Sequence, residues 1–190
     1  RANVYPHREF LARGRQGYIR SCRHCQADTE SSARIIRYCP AVQEAHIKRH
    51  NQLCQILSEE AQKKDWVVIQ EPNTQDDQNH LYKPGLVFVK ENQALVVNIT
   101  MRYEGKDFTL EEVAKEKVEK YQHLQTQIQE MTNETDIKLF NFPLGTHAKW
   151  FQGNYKLLQI LGLSKSRQER TAHTPVSRVL FTSVDIVHIL

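Results

Sequence analysis

The sequence predicts an α/β chain of the α+β kind, a mixed sheet with flanking helices, preceded by a small cysteine-bearing segment. Three observations predict it. Short β-branched runs follow one another at Trp66–Pro72, Lys83–Lys90 and Ala94–Thr100, each bounded by Pro, Asn, Gln or Asp, as strands are. Glu91-Asn92-Gln93 is short enough to turn a hairpin between the last two. On either side the apolar residues recur at intervals of three and four, the period of a helix with one buried face.

Taken in order, residues 1–20 show no hydrophobic period, and Arg13-Gly-Arg-Gln-Gly17 reads as flexible. Cys22-Arg-His-Cys25 has the C-x-x-C spacing of a zinc turn, and a strand-like Arg34–Tyr38 leads into Cys39-Pro40. A tetrahedral site needs four ligands. Cys22, Cys25 and Cys39 supply three thiolates, and the fourth would come from His24, His46, His50 or Cys54, with His50 taken as the working choice. The alternative is a metal-free turn with its cysteines buried. From Val42 to Lys64 the pattern is helical, with Lys63-Lys64 in the last turn, where positive charge suits the helix dipole. Asn73–His80 is acidic and amide-rich and reads as a loop.

Past the hairpin, Asp107–Glu112 opens a long helix with Thr109 or Asp107 as its cap. Its stripe is Leu110, Val113, Ala114, Tyr121, Leu124, Ile128 and Met131. Lys117 falls inside that stripe and should point at the sheet, where an ammonium must either snorkel to the edge or find an acid, a phosphate or a metal-bound water. Lys120 sits at the margin. Asp136–Phe142 alternates as a fourth strand, and Pro143–His147 reads as a loop. Trp150 and Phe151 beside Lys149 suit either the core or a stacked base, and the core is the commoner use. Asn154–Leu161 is a short helix stopped by Gly162, Ser164–Ala172 is another, and Thr174-Pro175 starts the last.

At 190 residues the chain fits one ordinary domain with a small appendage, divided as 1–60 (arm, cysteine segment, linking helix) and 61–190 (sheet domain). No run approaches a membrane span in length, and the opening residues are too basic and too interrupted for a secretory signal. The chain starts at Arg1, which suggests a piece of something longer. The formal net charge is +4, and residues 1–20 hold five arginines against Glu9 alone. Such an arm, with Arg13, Arg15 and Arg20, suits a phosphate backbone, although a solvated tail has the same composition. Four cysteines without secretory context point to metal ligation or free thiols rather than disulfides.

One pair of positions organises the rest. A Lys83-Pro84-X entry into one strand, then twelve residues, then a polar residue among Val and Ile places positions 85 and 98 together on neighbouring strands. Restriction-type nucleases put an acid at each such position to hold a divalent cation; here they are Gly85 and Asn98. With the basic arm, Cys22 to Cys39, Arg49-His50-Asn51, Val96-Val97-x-Ile99-Thr100, Arg102-Tyr103-Glu104 and Glu116-Lys117…Lys120-Tyr121, the chain resembles the C-terminal part of the polyprotein of site-specific non-LTR retrotransposons.

The resemblance implies a zinc knuckle followed by a restriction-endonuclease-like core, downstream of a reverse transcriptase. It implies nicking of target DNA in the nucleus, so that the freed 3′-hydroxyl primes copying of the element RNA, with Mg²⁺ as cofactor and Zn²⁺ at the cysteines. The catalytic positions would be 85, 98 and Lys117, with Glu104 bordering the site, and Lys83, Arg102 and Lys120 joining the arm in holding nucleic acid. Gly85 offers Mg²⁺ nothing, Asn98 offers a neutral amide, and Arg34 stands where the knuckle has histidine. The expectation is therefore an endonuclease region with impaired cleavage. Its alternative is a non-catalytic nucleic-acid-binding module of the same stock, and a weaker third reading is a protein-interaction scaffold.

Overall fold

The computed structural model describes residues 7–31, 34–35, 39–102 and 109–188. A short helix, α1 (Arg8–Leu11), leads to the cysteine turn, and a 3-10 turn at Pro40–Val42 opens the long helix α2 (Gln43–Gln62). Then follow β1 (Val67–Gln70), the small pair β2 (Thr74–Gln75) and β3 (Leu81–Tyr82), β4 (Leu86–Lys90) and β5 (Gln93–Arg102). Helices α3 (Leu110–Tyr121) and α4 (Gln125–Thr132) cross to β6 (Asp136–Gly145), and α5 (Asn154–Ile160) and α6 (Lys165–His188) close the described chain.

The main sheet has the order β1-β4-β5-β6. β4 runs antiparallel to both β1 and β5, reached from β1 through the β2–β3 segment and joined to β5 by a tight hairpin, whereas β6 runs parallel to β5, a pairing that needs a long crossover and receives it from α3 and α4. The fold is thus a mixed α/β sheet with flanking helices, as the sequence predicts. Glu91 and Asn92 form the hairpin turn between paired Lys90 and Gln93, with Glu91 at φ 56°, the left-handed conformation that such a turn requires.

Period-two alternation sends the strand residues to two cores. Leu86, Phe88, Leu95, Val97 and Phe142 meet Leu53 and Leu57 of α2, Leu157 and Leu158 of α5 and Val179 of α6. Val87, Ala94 and Val96 face the other way, onto Leu124 and Ile128. Asn98 continues this second row and so faces the α3–α4 side. Trp66 donates from Nε1 to the Leu161 carbonyl at 3.3 Å, and Arg167 forks onto the Glu60 carboxylate at 2.6 and 2.5 Å, clamping α6 to α2. Arg167, set against the cost of burial, holds the Glu60 carboxyl down to about 2.

Several boundaries differ from the sequence reading, each for a physical reason. The predicted long helix after the hairpin is two, broken by a 3-10 turn at Gln122–Leu124 that still buries Leu124. The two predicted C-terminal helices are one: Pro175 lies inside α6, whose Ala172, Val179 and Ile186 are buried, so packing along α2 overrides the proline's penalty. The Pro143 loop is strand, because β6 is an edge of the sheet, where a missing N–H does little harm. The Asn73–His80 loop carries the β2–β3 ribbon, its turn fixed by Asp76 accepting from the N–H groups of Gln78 and His80. The boundary at residue 60 falls within α2, whose second half supplies Leu53, Leu57 and Ala61 to the sheet core.

The arm differs most. Residues 7–20 fold back onto the cysteine segment around Glu30, which is wholly buried. Its carboxylate accepts from the Arg8 N–H at 3.0 Å, from the Arg23 N–H at 2.9 Å and from the Arg23 guanidinium at 2.6 Å. His7 is buried beside it, with Nδ1 3.1 Å from the Glu30 carbonyl oxygen. Gly14 and Gly17 take positive φ to turn the chain back.

Candidate functional site

Two sites emerge, the first a polar cavity and the second set in a small apolar cluster of its own. The first lies where β4 begins. The register pairs Leu86 with Val97, so Gly85 and Asn98 are neighbours, and the Gly85 N–H donates to Asn98 Oδ1 at 3.2 Å. A cavity of about 220 Å³ opens there, lined by His50, Glu71, Lys83, Gly85, Asn98, Thr100, Lys117 and Tyr121.

Each lining group arrives by a local cause. Thr109 caps α3 in a capping box: its Oγ1 accepts from the Glu112 N–H at 3.2 Å, while Glu112 Oε2 accepts from the Thr109 N–H at 2.7 Å. Buried Asn141 then ties α3 to the sheet, donating from Nδ2 to the Val113 carbonyl at 2.9 Å and accepting from Thr100 Oγ1 at 2.8 Å. Lys117, one turn beyond Val113, is thereby brought to the cavity half-buried; burial first, then Lys120 and Arg102, push its ammonium pKa down. Among the described residues no carboxylate pairs with Lys117 or Lys83. Glu71 follows β1 at φ 43°, a left-handed conformation unusual for glutamate, and its N–H donates to the Gly85 carbonyl at 3.0 Å.

His50 is corrected by this geometry. It lines the cavity, with Nδ1 3.6 Å from Cys54 Sγ one turn along α2, and is not part of the cysteine cluster. The sequence reading missed His50 and Asn141 as parts of this site. The i, i+4 spacing of His50 and Cys54 on one face of α2 was a usable signal; nothing local marked Asn141. Tyr103, Glu104 and Asp107 lie outside the described residues. Arg102 ends β5 within electrostatic range of Lys117, and exposed Lys120 holds its ammonium 5.7 Å from the Tyr121 ring centre.

The described residues of this cavity do not fit Mg²⁺. Gly85 has no side chain, the Asn98 oxygen is already engaged by the Gly85 N–H, and among the described lining residues Glu71 is the one carboxylate beside two lysines, whereas the ion requires charged oxygen ligands.

The second site is the cysteine cluster. The thiol sulfurs of Cys22, Cys25 and Cys39 all lie within 4.8 Å of one another, and Cys22 and Cys39 are 3.9 Å apart. A tetrahedral zinc with bonds of about 2.3 Å spaces its sulfurs by about 3.8 Å, so the group could hold zinc. Cys22 and Cys39 are buried, with Ile35, Val42 and Ile186 around them. Cys25 is partly open; the Ala27 N–H, working against burial and helped by Cys22 and Arg34, lowers its thiol to about 7, whereas burial raises Cys39 to about 11. Arg34 Nη2 stands 4.0 Å from Cys25 Sγ, so a guanidinium occupies the ground beside the three thiols. The arm borders this cluster, with the guanidinium of Arg13 over Phe10 at 5.4 Å and that of Arg15 over Tyr18 at 5.5 Å from the ring centres; Arg20 is exposed and its carbonyl accepts from the Glu30 N–H. Trp150 belongs to the core, edge-on to Phe142 with ring centres 5.4 Å apart.

With the geometry in place, comparison with known proteins is informative. No family model matches the chain. A Pol polyprotein from the type-1 retrotransposable element R2 of Popillia japonica is 27% identical over 150 residues, 78% of this chain. The chain has a retrotransposon relative. Two further R2 polyproteins of the same beetle are 29% identical over 105 residues (55% of this chain) and 33% over 87 (45%). The matches support a non-LTR retrotransposon origin and a retrotransposon-derived region of a larger polyprotein. They cover 31%, 15% and 14% of those relatives, so the chain spans under a third of their length. Among the described residues no helix is long and apolar enough to cross a membrane.

Proposed function

We propose that this chain is the endonuclease region of a non-LTR retrotransposon polyprotein, built to engage target DNA and element RNA in the nucleus, in a copy that has lost the means to cut. The observation that carries the reading is the meeting of Gly85, Asn98 and Lys117 at one cavity beside the parallel β5–β6 pair. In nucleases of this type a carboxylate-held metal activates water and neutralises the scissile phosphate. Here Lys117 and Lys83 remain to receive a phosphate, and the carboxylates do not.

Supercoiled plasmid carrying the element's target, incubated with the purified chain and Mg²⁺ or Mn²⁺, should stay unnicked above background. Efficient nicking would overturn the loss of cleavage. The double substitution Gly85→Asp and Asn98→Asp should recover metal-dependent nicking.

The alternative, a non-catalytic nucleic-acid-binding module, is favoured by the arm, where Arg13 and Arg15 stack on Phe10 and Tyr18 and Tyr18 is 42% exposed. It predicts salt-sensitive affinity that falls when Arg13, Arg15 and Arg20 become Ala. In both readings Cys22, Cys25 and Cys39 hold zinc as a structural staple, and metal analysis should find about one zinc per chain.

A further inference from the structure

We propose that the Gly85–Asn98 cavity is a metal-independent anion site that grips a nucleic-acid backbone phosphate directly. The inference rests on the reading above that the chain engages nucleic acid, and concerns what the altered cavity does in place of holding a cation.

The polarity of the lining is the first ground. Because the Gly85 N–H requires an acceptor, it fixes the Asn98 amide with Oδ1 turned to it, leaving Nδ2 as the outward atom. No described residue accepts a hydrogen bond from Nδ2. A carboxylate at 98 would present an oxygen there; the asparagine presents a donor. Thr100 already spends its hydroxyl proton on Asn141.

Charge is the second ground. Among the described residues Lys83 and Lys117 both line the cavity without an ion-pair partner, and Glu71 is the sole acid of that lining. Acids at 85 and 98 would outnumber the lysines, so their absence reverses the sign of the cavity. Lys117 is half-buried beside other cations, a position that an incoming anion relieves. The third ground is room: without a side chain at Gly85 the mouth is open to a group the size of a phosphate, which an ammonium and an amide donor can share.

The test is fluorescence polarisation with a labelled 20-base-pair duplex in EDTA at fixed salt, using the chain carrying Arg13→Ala, Arg15→Ala and Arg20→Ala so that the arm does not mask the cavity. That protein should bind in EDTA, with no gain on adding Mg²⁺. Adding Asn98→Asp, nearly isosteric and still able to accept from Gly85, should weaken binding about tenfold in EDTA. Adding Lys117→Met should lower the slope of log affinity against log salt by about one. Undetectable binding in EDTA at low salt, or equal affinity of the Asn98→Asp protein in EDTA, would overturn the proposal. If Asn98→Asp unfolds the chain, an unchanged affinity and salt slope in Lys117→Met would overturn it. Plasmid nicking by the wild-type chain would sink the loss of cleavage while leaving this result separately readable.

Discussion

Replacing Glu30 by Gln should loosen the arm from the cysteine segment without unfolding the sheet. The carboxylate is fully buried and accepts from two backbone N–H groups and the Arg23 guanidinium. Burial opposes its charge, but those donors prevail and hold its pKa at about 2, against 4.5 in an unfolded chain. A glutamine retains one acceptor oxygen and sets an amide donor against Arg23, which is 33% exposed and partly rehydrates. The net loss is about 2–3 kcal/mol, the range for hydrogen bonds to a buried charged group. The sign follows from the depressed pKa. The stabilisation is fully present above about pH 4.5 and disappears as pH falls towards about 2, so wild type and variant converge in acid. Hydrogen exchange by mass spectrometry is the assay: at pH 6–7 peptides covering residues 7–31 should exchange about 30- to 150-fold faster in Glu30→Gln, with β4 and β5 unchanged. Equal exchange in the two proteins, or a Glu30 carboxyl titrating near 4.5 by NMR, would refute the assignment of Glu30 as the staple.

Three further predictions follow from the site. Asn141→Leu removes the tie between α3 and the sheet and leaves the Val113 carbonyl without that donor, so urea unfolding should show a loss of about 2 kcal/mol. Thr109→Ala deletes the cap of α3 and should cost about 1 kcal/mol in the same measurement. Lys117→Met should raise stability at neutral pH, because burial and neighbouring cations lower its folded pKa below 10.5 and so disfavour its charge in the fold; the gain should vanish once pH exceeds the unfolded value, and a variant less stable than wild type at pH 7 would contradict the half-buried placement.

Much of the sheet was legible because its signal is local. The β-branched runs, the two-residue turn at Glu91 and Asn92 and the 3.6-residue stripe of α3 and α4 each declare themselves within a short window. The closeness of positions 85 and 98 was legible too, from the Lys83-Pro84-X entry and the polar residue after twelve more, although the turn between the strands is two residues and not the three of Glu91–Gln93. What was not legible depends on residues distant in sequence. Arg13–Gly17 carries every mark of a flexible linker, and its own bonds are local turns; the residues on either side of it are held by Glu30, which bonds Arg8, Glu9, Arg20 and Arg23, a link that no periodicity reveals. Pro175 signals a break that a neighbouring helix cancels. His50 reads equally well as a zinc ligand or a cavity residue until the rotation of α2 about its axis is known, and that is set by Leu53 and Leu57 packing on the sheet.

Set against the acids that the proposed function would call for, positions 85 and 98 are not equivalent. Asn98 keeps the shape of an aspartate and keeps the bond to the Gly85 N–H, so the strand pairing need not sense the exchange of one oxygen for an amide nitrogen. Gly85 is the more constrained: a Cβ built there stands 3.2 Å from the Val97 carbonyl oxygen, closer than side chains ordinarily come, so the strands must part by a few tenths of an ångström to admit one. An aspartate at 85 would therefore ask the backbone to give, while one at 98 would change the chemistry of one atom only. A cavity that had merely been abandoned would be free to lose its lysines as well. Lys83 and Lys117 both line it, and with Glu71 the one acid among the described lining residues, the group that can satisfy them from outside the protein is an anion.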